Sequence, residues 1–109
     1  MATVHIEGDG INDRESFHKA FKEAFGFPDF YGMNMDAWID CMSSLDCPES
    51  GLSRLTIDEG ERLVIELGGA EALNARAPEL LDGLVECSAS VNKRYVRRGR
   101  RPAIALVFL

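Results

Sequence analysis

Residues 27–42 read FPDFYGMNMDAWIDCM. Over residues 34–44 the apolar side chains Met35, Trp38, Ile39 and Met42 recur at spacings of three and four, which places them on one stripe of a helix. Asp36 and Asp40 stand one turn apart beside that stripe. By themselves such acids make a solvated face, because carboxylates near a helix start are favoured by its macrodipole. A rigid helix presenting carboxylates at i and i+4 can also fill a cationic pocket built for phosphate, so Asp36 and Asp40 are candidates for recognising a basic partner. Of the two aromatics ahead of the helix, Tyr31 is read as packing, and Phe30 is placed at the surface, where aromatics enrich the centres of interfaces.

Upstream, residues 3–7 read as a short strand with Val4 and Ile6 on one face, stopped by Gly8-Asp9-Gly10. Residues 13–25 switch to helical spacing through Phe17, Ala20, Phe21 and Ala24, with Asn12 or Asp13 as cap and Gly26 and Pro28 as stop signals. Downstream, residues 46–51 form a loop. Residues 55–57 and 63–67 are β-like runs joined by Asp58-Glu59-Gly60-Glu61, which predicts a hairpin over 53–67 and a possible extra edge strand. A short helix over 70–75 follows. Pro78 suits the first turn of a longer helix running to about Arg98, with Leu80, Leu81, Leu84, Val85, Val91 and Tyr95 on its apolar face. The nearly continuous apolar run 102–109 predicts a strand covered on both faces. The order strand, two helices, strand, two helices, strand is an α/β pattern, with the three main strands parallel and helices packed against them. At 109 residues the chain is read as a single domain, 1–109.

Composition bounds the function. Hydrophobic residues at 46% and charged ones at 28% describe a chain that folds rather than a disordered one. All eighteen acidic residues lie between Glu7 and Glu86. Half of the twelve basic ones, Lys93, Arg94, Arg97, Arg98, Arg100 and Arg101, fall within residues 93–101. An acidic body favours basic partners and disfavours nucleic acid, whereas the basic run taken alone suits a nucleic-acid-binding or interaction module, the competing reading. That run has an internal explanation as well, since cations are favoured at a helix C-terminus and can pair with the acidic body. Cys41, Cys47 and Cys87 include no C-x-x-C pair, so no disulfide framework and no zinc site are expected. Residues 1–10 lack a basic flank followed by an apolar run, which makes the cytoplasm the expected location, with no membrane association. His5 and His18 are isolated, and no nucleophile triad or phosphate loop is present, so neither catalysis nor a cofactor is expected.

The segment 27–42 strongly resembles the core motif of the barstar family through Pro28, Asp29, Phe30-Tyr31, Gly32, Asn34, Asp36-Ala37, Asp40-Cys41 and Met42. The resemblance implies a three-stranded parallel sheet flanked by helices and inhibition of a small ribonuclease by blocking its active site. Transferred position by position, it implies a partner surface made of Phe30, Gly32, Asn34, Met35, Asp36 and Asp40, with Asp40 in the enzyme's phosphate pocket; Ile39 is expected to add apolar contact. The implied partner is a barnase-like ribonuclease or a related toxin, bound one to one by a monomer, this chain being its immunity protein. Two departures stand out. Phe30 replaces the family's frequent Tyr, and the Trp stands at Trp38, facing inward, with Ile39 where a Trp is usual. On the long helix, moreover, Lys93 or Arg94 falls near a position where the best-known member has an acid. Asp46, in the loop, is expected to be a neutral reference for Asp40.

Overall fold

The structure, a computed structural model, describes residues 2–109. Its elements are β1 (Ala2–Glu7), a single 3-10 turn (Gly8–Gly10), α1 (Arg14–Phe25), α2 (Met35–Met42), a second 3-10 turn (Pro48–Ser50), β2 (Leu63–Gly68), α3 (Ala70–Arg76), α4 (Pro78–Arg97) and β3 (Ile104–Phe108). The strands form one parallel sheet in the order β1-β2-β3, with Val4 opposite Ile65 and Leu63 opposite Ile104. This is the α/β architecture that the order of patterns predicts.

Strand alternation decides where the helices lie. Val4, Ile6, Leu63, Ile65, Leu67 and Ile104 are buried, whereas the intervening His5, Val64, Glu66, Ala105 and Val107 are partly or largely exposed. The register aligns Thr3, Val64 and Ala105 across the sheet, and His5, Glu66 and Val107 likewise, so one face is the core and the other meets solvent. β3 is therefore an edge strand covered on one face, which corrects the expectation of cover on both. Its apolar run also weakens outward, with Phe108 and Leu109 about half exposed.

The hairpin predicted over 53–67 does not form, and no extra edge strand exists among the described residues. The N–H groups of Arg54 and Leu55 both donate to the Phe25 carbonyl at 3.0 Å, and that of Ile57 donates to the Leu45 carbonyl at 2.9 Å. These bonds tie the segment to the end of α1 and to the loop after α2, leaving no ladder for β2. Gly26 makes the contact possible: its φ is +72°, and a Cβ there would lie 2.5 Å from the Arg54 Cβ.

On α1 the buried stripe is Phe17, His18, Phe21 and Phe25, not the predicted one through Ala24, which is exposed. Phe17 and Phe21 are common to both stripes, and the rings of His18 and Phe25 bury far more area than Ala20 and Ala24 would, so the helix turns accordingly. Of the two caps the sequence offered, Asp13 serves, its carboxylate accepting from the Ser16 N–H at 2.8 Å. His18 is fully buried, with Nδ1 2.6 Å from the Tyr31 hydroxyl, and Tyr31 itself packs inside. Burial, reinforced by the charge of Arg14, pushes the His18 imidazole down to about 4. Above pH 6.5 the ring is neutral folded and unfolded. Between pH 6.5 and 4 the unfolded chain binds a proton that the folded one refuses, so stability falls with pH by about 3 kcal/mol and levels off below 4. Urea denaturation at pH 7 and pH 4.5 should show a smaller loss for His18→Gln than for the wild type; equal losses would mean that His18 does not govern this window.

Candidate functional site

The turn leading into α2 is fixed from both sides. Phe27 and Tyr31 are buried with ring centroids 4.8 Å apart, and the Tyr31 N–H donates to the Pro28 carbonyl at 2.9 Å. Phe30, held between these anchors, is 78% exposed, which is far more than an apolar ring adopts for packing. Asn34 then ties turn to helix. Its side-chain amide donates to the Gly32 carbonyl at 3.0 Å, while its Oδ1 accepts from the Ala37 N–H at 2.8 Å as the N-cap of α2. A Cβ on Gly32 would sit 3.1 Å from the Asn34 amide nitrogen, so glycine keeps room for that bond. Between them, Met33 adopts φ +53°, a left-handed conformation unusual for a residue with a side chain. Gly32 and Asn34 thus brace the turn, and Phe30 projects from it.

α2 divides its residues sharply. Trp38, Cys41 and Met42 are buried, Met35 and Ile39 are half-buried, and Asp36 and Asp40 are exposed. The predicted stripe is right for Trp38 and Met42, and Cys41 joins them. The face Met35, Asp36, Ile39 and Asp40 lies beside α4, against which α2 packs. Near Asp36, burial raises the Cys87 thiol, with the charges of Glu86 and Asp36 adding to it. Burial pushes the Cys41 thiol up to about 11, and Asp40 contributes. All three cysteines are free.

What sequence reasoning missed is the other half of this surface. Arg94 Nη1 lies 2.8 Å from Asp40 Oδ1, joining α4 to the acid expected in the phosphate pocket. Arg98 Nη2 reaches the Ser43 carbonyl at 3.1 Å and Asp46 Oδ1 at 3.3 Å, while its guanidinium lies 4.7 Å from the Tyr95 ring centroid. Arg100 spans Asp46 at 3.7 Å and Glu59 at 3.3 Å. Arg94, Arg97 and Arg98, with Asp40, Ser43, Ser44 and Leu52, line a cleft of about 550 Å³. The side chains of Lys93, Arg97 and Arg101 have no ion-pair or hydrogen-bond partner among the described residues. The density of cations was visible in the sequence. So was the prospect of pairing with the acidic body; the particular partners were not, because Asp40 and Arg94 lie 54 positions apart.

Asp46 is likewise no neutral reference. Its side chain is 7% exposed, accepts from Arg98 at 3.3 Å and forms an ion pair with Arg100 at 3.7 Å. Removing it takes the nearest acid from Arg98, leaving it only the Ser43 carbonyl, and one of two acids from Arg100, so Asp46→Ala should cost about 1–2 kcal/mol, between the values for exposed and buried pairs. A thermal melt would read this as a clear drop in Tm, and an unchanged Tm would show the network to be idle. Glu71, exposed on α3, is the better reference.

Among the described residues no group of three or more His, Cys, Asp or Glu is placed to hold a metal ion, and no helix is long and apolar enough to cross a membrane.

Comparison with known proteins agrees with this architecture. The family model described as Barstar (barnase inhibitor) matches residues 1–107. A curated Bacillus subtilis (strain 168) protein named "Putative ribonuclease inhibitor YrdF" is 37% identical over 49 residues, a stretch that makes up 44% of this chain and 54% of that protein. The chain thus spans about half the length of this curated relative. With three parallel strands, helices in the matching order and a family match over nearly its whole length, the chain belongs to the barstar family.

Proposed function

We propose that this chain inhibits a ribonuclease by seating α2 in the enzyme's active site, with Asp40 as the phosphate mimic and Asp36 one turn away. The observation that carries this reading is the exposure of both carboxylates on a helix whose opposite side is locked into the core by Trp38 and Met42. A preorganised carboxylate loses little freedom on binding and meets converging Arg, Lys or His groups with charge-assisted hydrogen bonds. Phe30 flanks the acids as an exposed aromatic contact, and Met35 and Ile39 supply apolar area between them. Gly32 and Asn34 hold the turn in the shape that presents Phe30. The family description and the name of the Bacillus subtilis relative both support a ribonuclease as the partner. The enzyme is taken to be of barnase type or a related toxin, with the chain acting as a monomer, in the cytoplasm, as its immunity protein.

The test is a titration of a barnase-type ribonuclease with this chain. Loss of RNA cleavage should be linear and complete at one equivalent. Undiminished cleavage at a tenfold excess would count against the reading. The competing nucleic-acid reading is weakened by the pairing of Arg94, Arg98 and Arg100 with acids of the chain itself. A gel shift with RNA at low salt separates the two, because phosphate binding by the free cations would collapse as salt rises.

A further inference from the structure

Asp40 does not stand on an acidic surface. It opens onto the arginine cleft between α2 and α4, where charge is unevenly neutralised. Arg98 is held by Asp46 and the Ser43 carbonyl, and Arg94 is held by Asp40 itself. Arg97 has no anionic partner among the described residues, nor has Lys93 one turn before it on α4. When Asp40 is given over to cations of a partner, Arg94 loses its counter-charge too. A partner whose active-site mouth is wholly cationic would then gain at Asp40 and be repelled by two neighbouring arginines. Like charges set face to face are a means by which interfaces reject wrong partners.

We propose that the ribonuclease recognised by this chain carries an acidic side chain on the rim of its cationic active site, and that Arg94 and Arg97 receive it as Asp40 passes to the partner's cations. The inference rests on the ribonuclease-inhibitor reading and adds the charge pattern that the partner must have. The surface exchanges one internal pair for two pairs across the interface, so that both Asp40 and Arg94 stay neutralised in the complex. Leu52, which is half-buried in the same cleft, gives the incoming side chain an apolar wall that sharpens the charge contact by excluding water.

A charge-swap experiment tests this. The probe is a barnase-type ribonuclease together with variants in which each exposed Lys or Arg around the mouth, outside the substrate-binding cations, is changed in turn to Glu. Binding of each to the full chain and to Arg97→Glu is followed by calorimetry. At least one rim variant should bind the wild-type chain tenfold or more tighter than the unmodified enzyme does, and should bind Arg97→Glu tenfold or more weaker. Arg97→Glu should also bind the unmodified enzyme more tightly than the wild type does. Arg97 is exposed, and Arg97→Ala, which should lose the preference without reversing it, covers any local loss of helix at the end of α4. If no rim variant tightens, or if all variants shift both chains alike, the cleft does not select an acid, and the inhibitor reading stands without this inference. If neither chain binds any member of the set, the inhibitor reading fails and takes the inference with it.

Discussion

Asp40→Ala should raise the inhibition constant against a barnase-type ribonuclease at least about 100-fold, or about 2.7 kcal/mol, while Tm falls by no more than about 5 °C. Two separate terms fix this outcome. In the free protein the Asp40 side chain is 62% exposed and its Arg94 partner 48%, so their 2.8 Å contact is a solvent-screened pair contributing about 0–1 kcal/mol. In the complex the same carboxylate is desolvated against cations, and deleting it leaves them buried and unpaired, a loss of about 2–5 kcal/mol; the measurements behind that range include the namesake of this family and its target. The loss should be mostly in dissociation rate, whereas raising salt should chiefly slow association, as for a steered encounter. Glu71→Ala, on exposed α3, is the reference. Equal changes in the two variants would remove α2 from the interface, and a large fall in Tm for Asp40→Ala would make its role structural.

Local signals and long-range ones were unequally legible in the sequence. The cap at Asp13, the stop at Gly26 and the start at Pro78 are set by backbone chemistry within a few residues, and each is found where the pattern places it. The strands follow from alternation and the order of elements. The failures lie where tertiary contacts outweigh propensity. Residues 55–57 have strand composition, yet the N–H groups of Leu55 and Ile57 are taken by the Phe25 and Leu45 carbonyls, partners no local pattern reveals. Ala24 has helical spacing, but Phe25 beside it is the larger hydrophobe and turns the stripe. At the candidate site, the exposure of Asp36 and Asp40 and the burial of Trp38 were legible from a helical period of 3.6. The Asp40–Arg94 pair and the burial of Asp46 were not, because both depend on how α4 lies across α2.

Trp38→Ala should cost about 3–5 kcal/mol, a large part of the stability of a domain this size. The indole is wholly buried in α2 and meets the Phe21 ring edge-on, with centroids 5.6 Å apart. Cutting it to a methyl group removes the largest anchor between α2 and α1 and leaves a cavity that the helices cannot close without moving. Among the described residues its indole N–H has no hydrogen-bond partner, so the loss is one of packing and apolar burial. Trp38→Phe keeps part of the area and should cost roughly half as much. The functional consequence follows from the helical period: the residue that points inward at 38 is what turns Ile39 and Asp40 outward. In Trp38→Ala, inhibition should therefore weaken by more than the unfolded fraction explains, because the surviving folded molecules hold α2 less firmly. Denaturant titration gives that fraction directly. A variant that loses 3 kcal/mol or more yet inhibits in strict proportion to its folded population would show that α2 is positioned by its Asn34 cap and by the Tyr95 hydroxyl, which donates to the Met42 carbonyl at 2.8 Å, and not by its core anchor.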